Sequence, residues 1–143
     1  MKIFKLASSA LLMTLLCTTP VRAELPGVKV HVTGFSSITG TVEVSLFNSA
    51  ETFLQEPYLQ ESGKVAENRS FEIEFVALPE GDYAVVVVHD ANDNSKLDTG
   101  FLGIGGEDYG FSNNVRPWFG RPVFDQVKFI VDQPGKVMEI ELD

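Results

Sequence analysis

One short segment of the chain carries oxygen-bearing side chains at alternate positions, in the spacing of a calcium-binding loop. Counted from Asp90, side-chain oxygens fall at the first, third, fifth and ninth positions, and the backbone carbonyl of the seventh position completes part of the shell. The five candidate metal ligands are Asp90, Asn92, Asn94, Lys96 (through its carbonyl) and Asp98. A calcium ion would order this loop, with a Kd in the ~10⁻⁴ to 10⁻³ M class of extracellular modules.

The segment differs from an EF-hand in three respects. Ser95 replaces the glycine of the sixth position, Phe101 stands where a bidentate Glu would close the site, and a strand precedes the loop instead of a helix. A more distant carboxylate, such as Glu107 or Asp108, would have to complete the shell. The alternative to calcium is an Asx-rich turn, in which the side chains bond their own backbone.

Other chemistry has less support in the sequence. The chain has no G-x-S-x-G motif, and its single cysteine, Cys17, together with only two histidines argues against a zinc site. His89 and Asp90 are adjacent on a strand and point to opposite faces, so Asp90 cannot orient His89 as a general base. We expect a packed or exposed histidine there. The protein is predicted not to be an enzyme; the alternative is a hydrolase that acts on envelope or extracellular glycans through carboxylates of the loop.

An aromatic cluster follows the Asx-rich segment. Its rings alternate with amide and guanidinium groups, and the set comprises Tyr109, Phe111, Asn113, Asn114, Arg116, Trp118, Phe119 and Arg121. We expect the rings to form a satellite core that anchors a long loop, and the two Asn side chains to bond the loop backbone. The alternatives are a sugar- or peptide-binding patch and a protein-interaction module of the cell envelope that presents Trp118.

These residues must be positioned by strands, because period-2 alternation dominates the rest of the chain. Six strands are predicted: 28–33, 41–46, 70–75, 83–88, 127–131 and 138–142. Residues 64–66 are a possible seventh strand, and 51–60 a possible helical turn. The run 83–88 is apolar on both faces, as in a central strand. Turn residues at 36–40, 79–82 and 132–135 predict hairpins or short arches. The sequence therefore predicts an all-β, antiparallel β-sandwich of about seven strands with one long ordered loop between Val88 and Phe124; a barrel is the alternative.

Length and composition limit the remaining possibilities. The chain has 143 residues, 44% of them hydrophobic and 22% charged, which suffices for one domain. A net charge of −9 repels phosphate backbones and anionic lipid headgroups alike, which argues against a nucleic-acid partner. Residues 1–23 are interpreted as a signal peptide: Lys2 and Lys5 precede an apolar stretch, and cleavage is expected after Ala23.

The exported product is then residues 24–143, a single β-sandwich domain without cysteine. Because Lys2, Lys5 and Arg22 leave with the signal peptide, this domain has 8 basic and 20 acidic residues. The resulting net charge of −12 suits divalent cations. We expect a periplasmic or extracellular location, no transmembrane segment after cleavage, and a protein or glycan as the partner. The biological role is not evident from the sequence.

The order of motifs resembles a bacterial family, domain of unknown function 2141. The resemblance rests on the residues 89–98 (His-Asp-x-Asn-x-Asn-x-Lys-Leu-Asp), 101–104 (Phe-Leu-Gly-Ile), 109–114 (Tyr-Gly-Phe-Ser-Asn-Asn) and 119–124 (Phe-Gly-x-Pro-x-Phe). It implies an exported protein and supplies no activity and no catalytic residue. The segment 78–83 is also similar to the L-x-x-G-x-Y turn and strand of transthyretin-like and collagen-adhesin B-type sandwiches, which implies that Tyr83 packs over the preceding turn.

Overall fold

The computed structural model describes residues 25–93 and 107–143 of the chain. Within these ranges the elements are β1 (Gly27–Thr33), β2 (Thr41–Phe47), β3 (Leu59–Gly63), β4 (Phe71–Val76), β5 (Gly81–Asp90), β6 (Asp108–Phe111), a 3₁₀ turn (Ser112–Asn114), α1 (Phe124–Val127), β7 (Phe129–Val131) and β8 (Lys136–Glu141). None of the helices in the described ranges has the length and apolar character that crossing a membrane requires.

The strands form two sheets. The first has the order β4-β1-β8, and the second has the order β3-β2-β5-β6, with β7 paired to the beginning of β5. The prediction of an all-β sandwich is therefore confirmed. One detail differs: β1 and β8 are parallel, whereas the other pairs are antiparallel. A tight hairpin cannot join two parallel strands. The strand before β8 is β7, which belongs to the second sheet, so the chain crosses between the sheets before β8 pairs with β1.

The core lies between the sheets because alternate residues of each strand face inward. Val28, Val30 and Val32 of β1 are completely buried and pack in one cluster with Val42 and Val44 of β2. The central strand β5 is buried on both faces, as its composition predicts. Its residues Tyr83, Val85 and Val87 belong to this main core, and Ala84 and Val86 belong to a second apolar cluster on the outer face of the sheet.

The three predicted turns are arches that carry the chain from one sheet to the other. They join β1 to β2, β4 to β5, and β7 to β8. At the second arch the hydroxyl of Tyr83 donates a hydrogen bond of 2.8 Å to the carbonyl oxygen of Pro79. The packing of Tyr83 over the preceding turn, which the L-x-x-G-x-Y resemblance implies, is therefore present.

Two predictions of local structure concern the segment between β2 and β4, and one of them is wrong. The seventh strand is Leu59–Gly63 and not 64–66; β3 pairs with β2 from Leu46↔Leu59 to Val42↔Gly63. Its residues are nearly all exposed, so the strand has no buried face and no alternating signal. The expected helical turn in 51–60 is present as a single hydrogen-bonded turn and not as a helix. The amides of Gln55 and Glu56 both donate to the carbonyl of Thr52, and Leu54 has a positive φ of 63°.

The long stretch between β5 and β8 contains more regular structure than expected. β6 pairs with β5 from His89↔Asp108 to Val86↔Phe111, and α1 includes Val127, which the alternation assigned to a strand. Both elements have only four residues, which is too short for a periodic pattern to be distinguished.

Candidate functional site

A buried histidine and a carboxylate hold together the two strand ends that enclose the Asx-rich segment. His89 is the next-to-last residue of β5 and is completely buried, and Asp108 is the first residue of β6 and lies directly opposite in the register. The Nδ1 atom of His89 lies 3.2 Å from Oδ2 of Asp108, and its Nε2 donates to the carbonyl oxygen of Thr39 at 2.7 Å. Both ring nitrogens are thus used inside the protein, which confirms the expected packed histidine.

The arch between β1 and β2 completes this arrangement, which we call the His89 clasp. Oδ2 of Asp108 also accepts hydrogen bonds from the amide and the hydroxyl of Ser36, at 2.8 and 2.6 Å. The ring of Phe35 packs edge-on against the imidazole, with 5.1 Å between the ring centroids. The clasp (Phe35, Ser36, Thr39, His89 and Asp108) therefore ties three chain segments together at the base of the loop.

The pKa of the Asp108 carboxyl reflects this environment. Burial acts to raise the pKa, but the hydrogen bonds from Ser36 and His89 outweigh burial and bring it below its ordinary value of 3.8. A carboxylate with a lowered pKa in the folded state stabilises the fold above the unfolded value and ceases to do so as the pH falls through the folded value.

We therefore predict that the clasp is lost in acid. The free energy of unfolding of the wild type should decline below pH 3.8 more steeply than that of Asp108→Ala, which lacks the group. Urea titrations of both proteins from neutral pH into this acid range measure the difference. If the free energies of unfolding of the two proteins decline equally with pH, the stabilising role of the ionised Asp108 carboxylate is contradicted.

The structure describes only part of the predicted calcium loop. Asp90 ends β5, and its Oδ1 accepts a hydrogen bond of 3.3 Å from the amide of Asn92, as in an Asx turn. The candidate ligands Asn94, Lys96 and Asp98 lie outside the described residues. Among residues 25–93 and 107–143, no three His, Cys, Asp or Glu side chains converge into a metal-binding group. Calcium binding therefore stays a prediction.

Two acidic side chains near the loop are engaged in contacts within the protein. Asp108, one of the two carboxylates named as examples that could complete a calcium shell, is held by the clasp through Oδ2. Asp93 forms an ion pair of 2.9 Å with Lys64 and accepts a hydrogen bond from Thr41. The hydrogen bonds from Thr41 and Lys64 lower the pKa of the Asp93 carboxyl.

The aromatic cluster divides into two parts. Phe111 is buried in the second apolar cluster, and Tyr109 packs against it with 5.9 Å between the ring centroids. In contrast, Trp118 is 90% exposed and Phe119 is 85% exposed. The expectation of a satellite core is therefore correct for the first two rings and wrong for the last two. The difference arises because Tyr109 and Phe111 lie on β6 beside β5, whereas Trp118 and Phe119 lie beyond the 3₁₀ turn.

We call residues 115–123 the aromatic loop, and both of its ends are anchored. Val115 and Pro117 are half-buried at its beginning, Pro122 is buried at its end, and residues 118–121 between them are all exposed. Arg116 forms an ion pair of 2.8 Å with Asp143. Gly120 adopts a positive φ of 64°, which turns the chain between the exposed residues and Pro122.

The two asparagines that precede the aromatic loop fix its starting point. Both have positive φ angles, 61° for Asn113 and 50° for Asn114. The Nδ2 of Asn113 donates to the carbonyls of Val127 and Lys128, and Asn114 exchanges hydrogen bonds with the β8 backbone at Glu139 and Glu141. The predicted bonding to backbone is present, but the partners are α1 and β8 and not the loop itself.

Within residues 25–93 and 107–143, two clefts lie beside the outer face of the second sheet. The larger has a volume of about 470 Å³ and is bordered by Arg121, Gln55 and Asp125 beside apolar residues that include Phe53 and Phe124. The smaller, of about 260 Å³, is lined by residues of β2, β3 and β5 and by the 54–57 segment. Each cleft has a single acidic residue in its lining, Asp125 in the first and Glu43 in the second.

Fold and loop together define an all-β sandwich with a clasped loop base and a projecting aromatic loop. The family model of domain of unknown function 2141, described as an uncharacterized protein conserved in bacteria, matches residues 30–139. The chain belongs to this family, as the order of motifs indicates. No curated protein matches the chain. No solved structure matches it either.

Proposed function

We propose that this protein is an exported, non-catalytic binding module whose partner-binding surface is the aromatic loop. The observation that carries the proposal is the exposure of Trp118 and Phe119, at 90% and 85%. Two adjacent aromatic side chains outside the core contribute no burial to folding, whereas aromatic side chains contribute a large share of the energy of binding interfaces. The partner class expected from the sequence is a protein or a glycan.

The construction of the loop supports a binding role. Pro117 and Pro122 fix their own φ angles, and Pro122 is buried, so the exposed segment between them is restrained before any partner arrives. Less conformational entropy is then lost on binding than with a free segment. The preceding hydrogen bonds of Asn113 and Asn114 extend this restraint to β8 and α1.

Export is supported by the sequence of residues 1–23, with its two early lysines, its apolar stretch and Ala23 at a small-residue cleavage pattern. N-terminal sequencing of the protein from culture fractions tests this part of the proposal. Glu24 as the first residue is expected, and retention of Met1 would contradict cleavage.

Photo-crosslinking in the producing bacterium tests the binding surface. A photoreactive amino acid at Phe119 should give covalent adducts of defined mass, whether with protein, glycan or lipid. The same amino acid at Val76 or Ile130, which are exposed apolar positions on other strands, should give none. Adducts at all three positions, or at none, would contradict the proposal.

We also propose calcium binding by the segment from Asp90 to Asp98. The position of Asp93 supports it: this fourth residue is turned toward Lys64 and Thr41, as alternation of inward and outward side chains requires if the first, third and fifth residues are ligands. The strand β5 fixes the first candidate ligand, Asp90, at the start of the segment.

Calcium should therefore raise the melting temperature of the purified protein. A ligand at ten times its Kd stabilises by about 1.4 kcal/mol, and both Asp90→Ala and Asp98→Ala should abolish the rise. The same concentration of Mg²⁺ is the control for unspecific effects of a divalent cation on the melting temperature of an acidic protein. No shift at ~10 mM Ca²⁺ would rule out an affinity of the extracellular class and leave the Asx-rich turn.

A further inference from the structure

We propose that the aromatic loop docks on the surface of a lipid bilayer that carries anionic headgroups. In this arrangement Trp118 and Phe119 enter the interfacial region, and Arg116 and Arg121 contact the lipid phosphates. The inference rests on the proposed function and names the partner class of the same surface.

The shape of the loop is the first argument. Residues 118–121 are exposed in succession, while Pro122 on one side is buried and Pro117 on the other is half-buried. A Cβ atom built on Gly120 would meet nothing within 4 Å. The two rings therefore stand at a projecting turn and not inside a concave site. Trp is enriched at the membrane interface, where its apolar ring and its polar N–H find matching surroundings.

The local charge is the second argument. Residues 115–123 contain Arg116 and Arg121 and no acidic residue, although the chain as a whole has a net charge of −9. The Arg116 side chain is more than half exposed although it pairs with Asp143. At physiological ionic strength the Debye length is about 8 Å, so acidic groups farther than this from a docked membrane repel its headgroups only weakly. Asp143, the ion-pair partner of Arg116, lies within that distance of the loop.

The order of groups along the loop favours a bilayer over a glycan or a protein groove. Trp118 and Phe119 are adjacent and exposed, and Arg116 and Arg121 lie two positions before and two positions after them. An apolar centre with a cation on each side suits the acyl boundary and the phosphate layer of a bilayer. A sugar site would combine the rings with converging polar groups, but neither Trp118 nor Phe119 lines either of the two clefts described above for residues 25–93 and 107–143.

Trp118 is the single tryptophan of the chain, so its fluorescence reports on this loop alone. Purified exported protein is titrated with vesicles of phosphatidylcholine alone and with vesicles that also contain phosphatidylglycerol. The expected result is a blue shift of the emission, with protection from acrylamide quenching, for the anionic vesicles. No change with either vesicle, or equal changes with both, would overturn the inference.

Vesicle co-sedimentation extends the test to variants that lack the reporter. The double variant Trp118→Ala/Phe119→Ala should lose about tenfold or more in partition to anionic vesicles. The double variant Arg116→Gln/Arg121→Gln should lose the preference for anionic lipid, and Ile130→Ala, an exposed apolar control on β7, should bind as the wild type does. Unchanged partition of the aromatic variant would overturn the inference.

The failure of this inference and the failure of the proposed function can be told apart. Photo-crosslinks from position 119 to a protein or glycan, without vesicle binding, would overturn the lipid partner and leave the binding surface. Absence of both position-specific crosslinks and vesicle binding would overturn the two together.

Discussion

Replacement of Asp108 by Ala should lower the free energy of unfolding by about 3 kcal/mol or more, because it leaves the completely buried His89 without its carboxylate. The Ser36 amide and hydroxyl would also lose their shared acceptor. Removal of one partner of a buried pair leaves the other desolvated and uncompensated, which makes the loss larger than the contribution of the pair itself. Equilibrium denaturation in urea measures the change.

A matched control is present on the other sheet. His31 and Glu139 form the same kind of pair, with Nδ1 and Oε2 2.6 Å apart, but Glu139 is 64% exposed. Glu139→Ala should therefore lower stability by about 1 kcal/mol at most. Equal losses for the two variants would contradict the account of the clasp, since both pairs join a histidine Nδ1 to a carboxylate but only Asp108 is largely buried and bonded to Ser36.

Replacement of Gly40 by Ala should be at least as damaging. Gly40 has a φ of +87°, and a Cβ atom there would strike the carbonyl oxygen of Asp90 and lie 2.5 Å from the Cα of Ala91. Both neighbours are backbone, so no side-chain rotation can relieve the clash. We expect a loss of about 3 kcal/mol or more, above the ~1–2 kcal/mol of a left-handed backbone alone.

Gly135→Ala is the control for this substitution. Gly135 has a similar φ of +77°, but an added Cβ would meet nothing within 4 Å. Gly135→Ala should therefore lower the free energy of unfolding by no more than about 1–2 kcal/mol. Thermal or chemical denaturation of both variants gives the comparison, and similar losses would show that Gly40 is needed only for its backbone angle and not for close contact with the start of the loop.

The sheets were predictable from the sequence because each buried face leaves an alternating pattern. Val28, Val30 and Val32 identify β1, and the uninterrupted apolar run of β5 indicates its central position. The edge strand β3 was missed for the same reason, since an exposed strand has no face to bury. Its pairing with β2 is set by tertiary contact and not by composition.

The candidate site was less predictable. His89 and Asp108 are 19 positions apart, and only the β5–β6 register makes them neighbours. The alternation of Asp108 and Gly110 with Tyr109 and Phe111 could have indicated β6, but four residues are too few to separate a strand from a loop. The side-chain bonding of Asn113 was foreseen because Asn favours positive φ and backbone contacts, whereas its partners required the fold.

The division of the aromatic cluster had no signal in the sequence. All four rings occur in one polar, glycine-containing stretch, and ring type alone does not say which side chain faces the core. Phe111 is buried because it belongs to β6, next to Val86 of β5. Trp118 and Phe119 follow the 3₁₀ turn and lie outside the apolar cluster that receives Phe111.

The central claim is that Trp118 and Phe119 serve binding and not folding, and the free energy of unfolding of Trp118→Ala/Phe119→Ala tests it most directly. Substitution of exposed side chains should change stability by no more than about 0.5 kcal/mol per site. Phe111→Ala, the buried ring of the same sequence cluster, should lose about 3 to 5 kcal/mol. A loss of that size in the double variant would place the two rings in a core and contradict the claim.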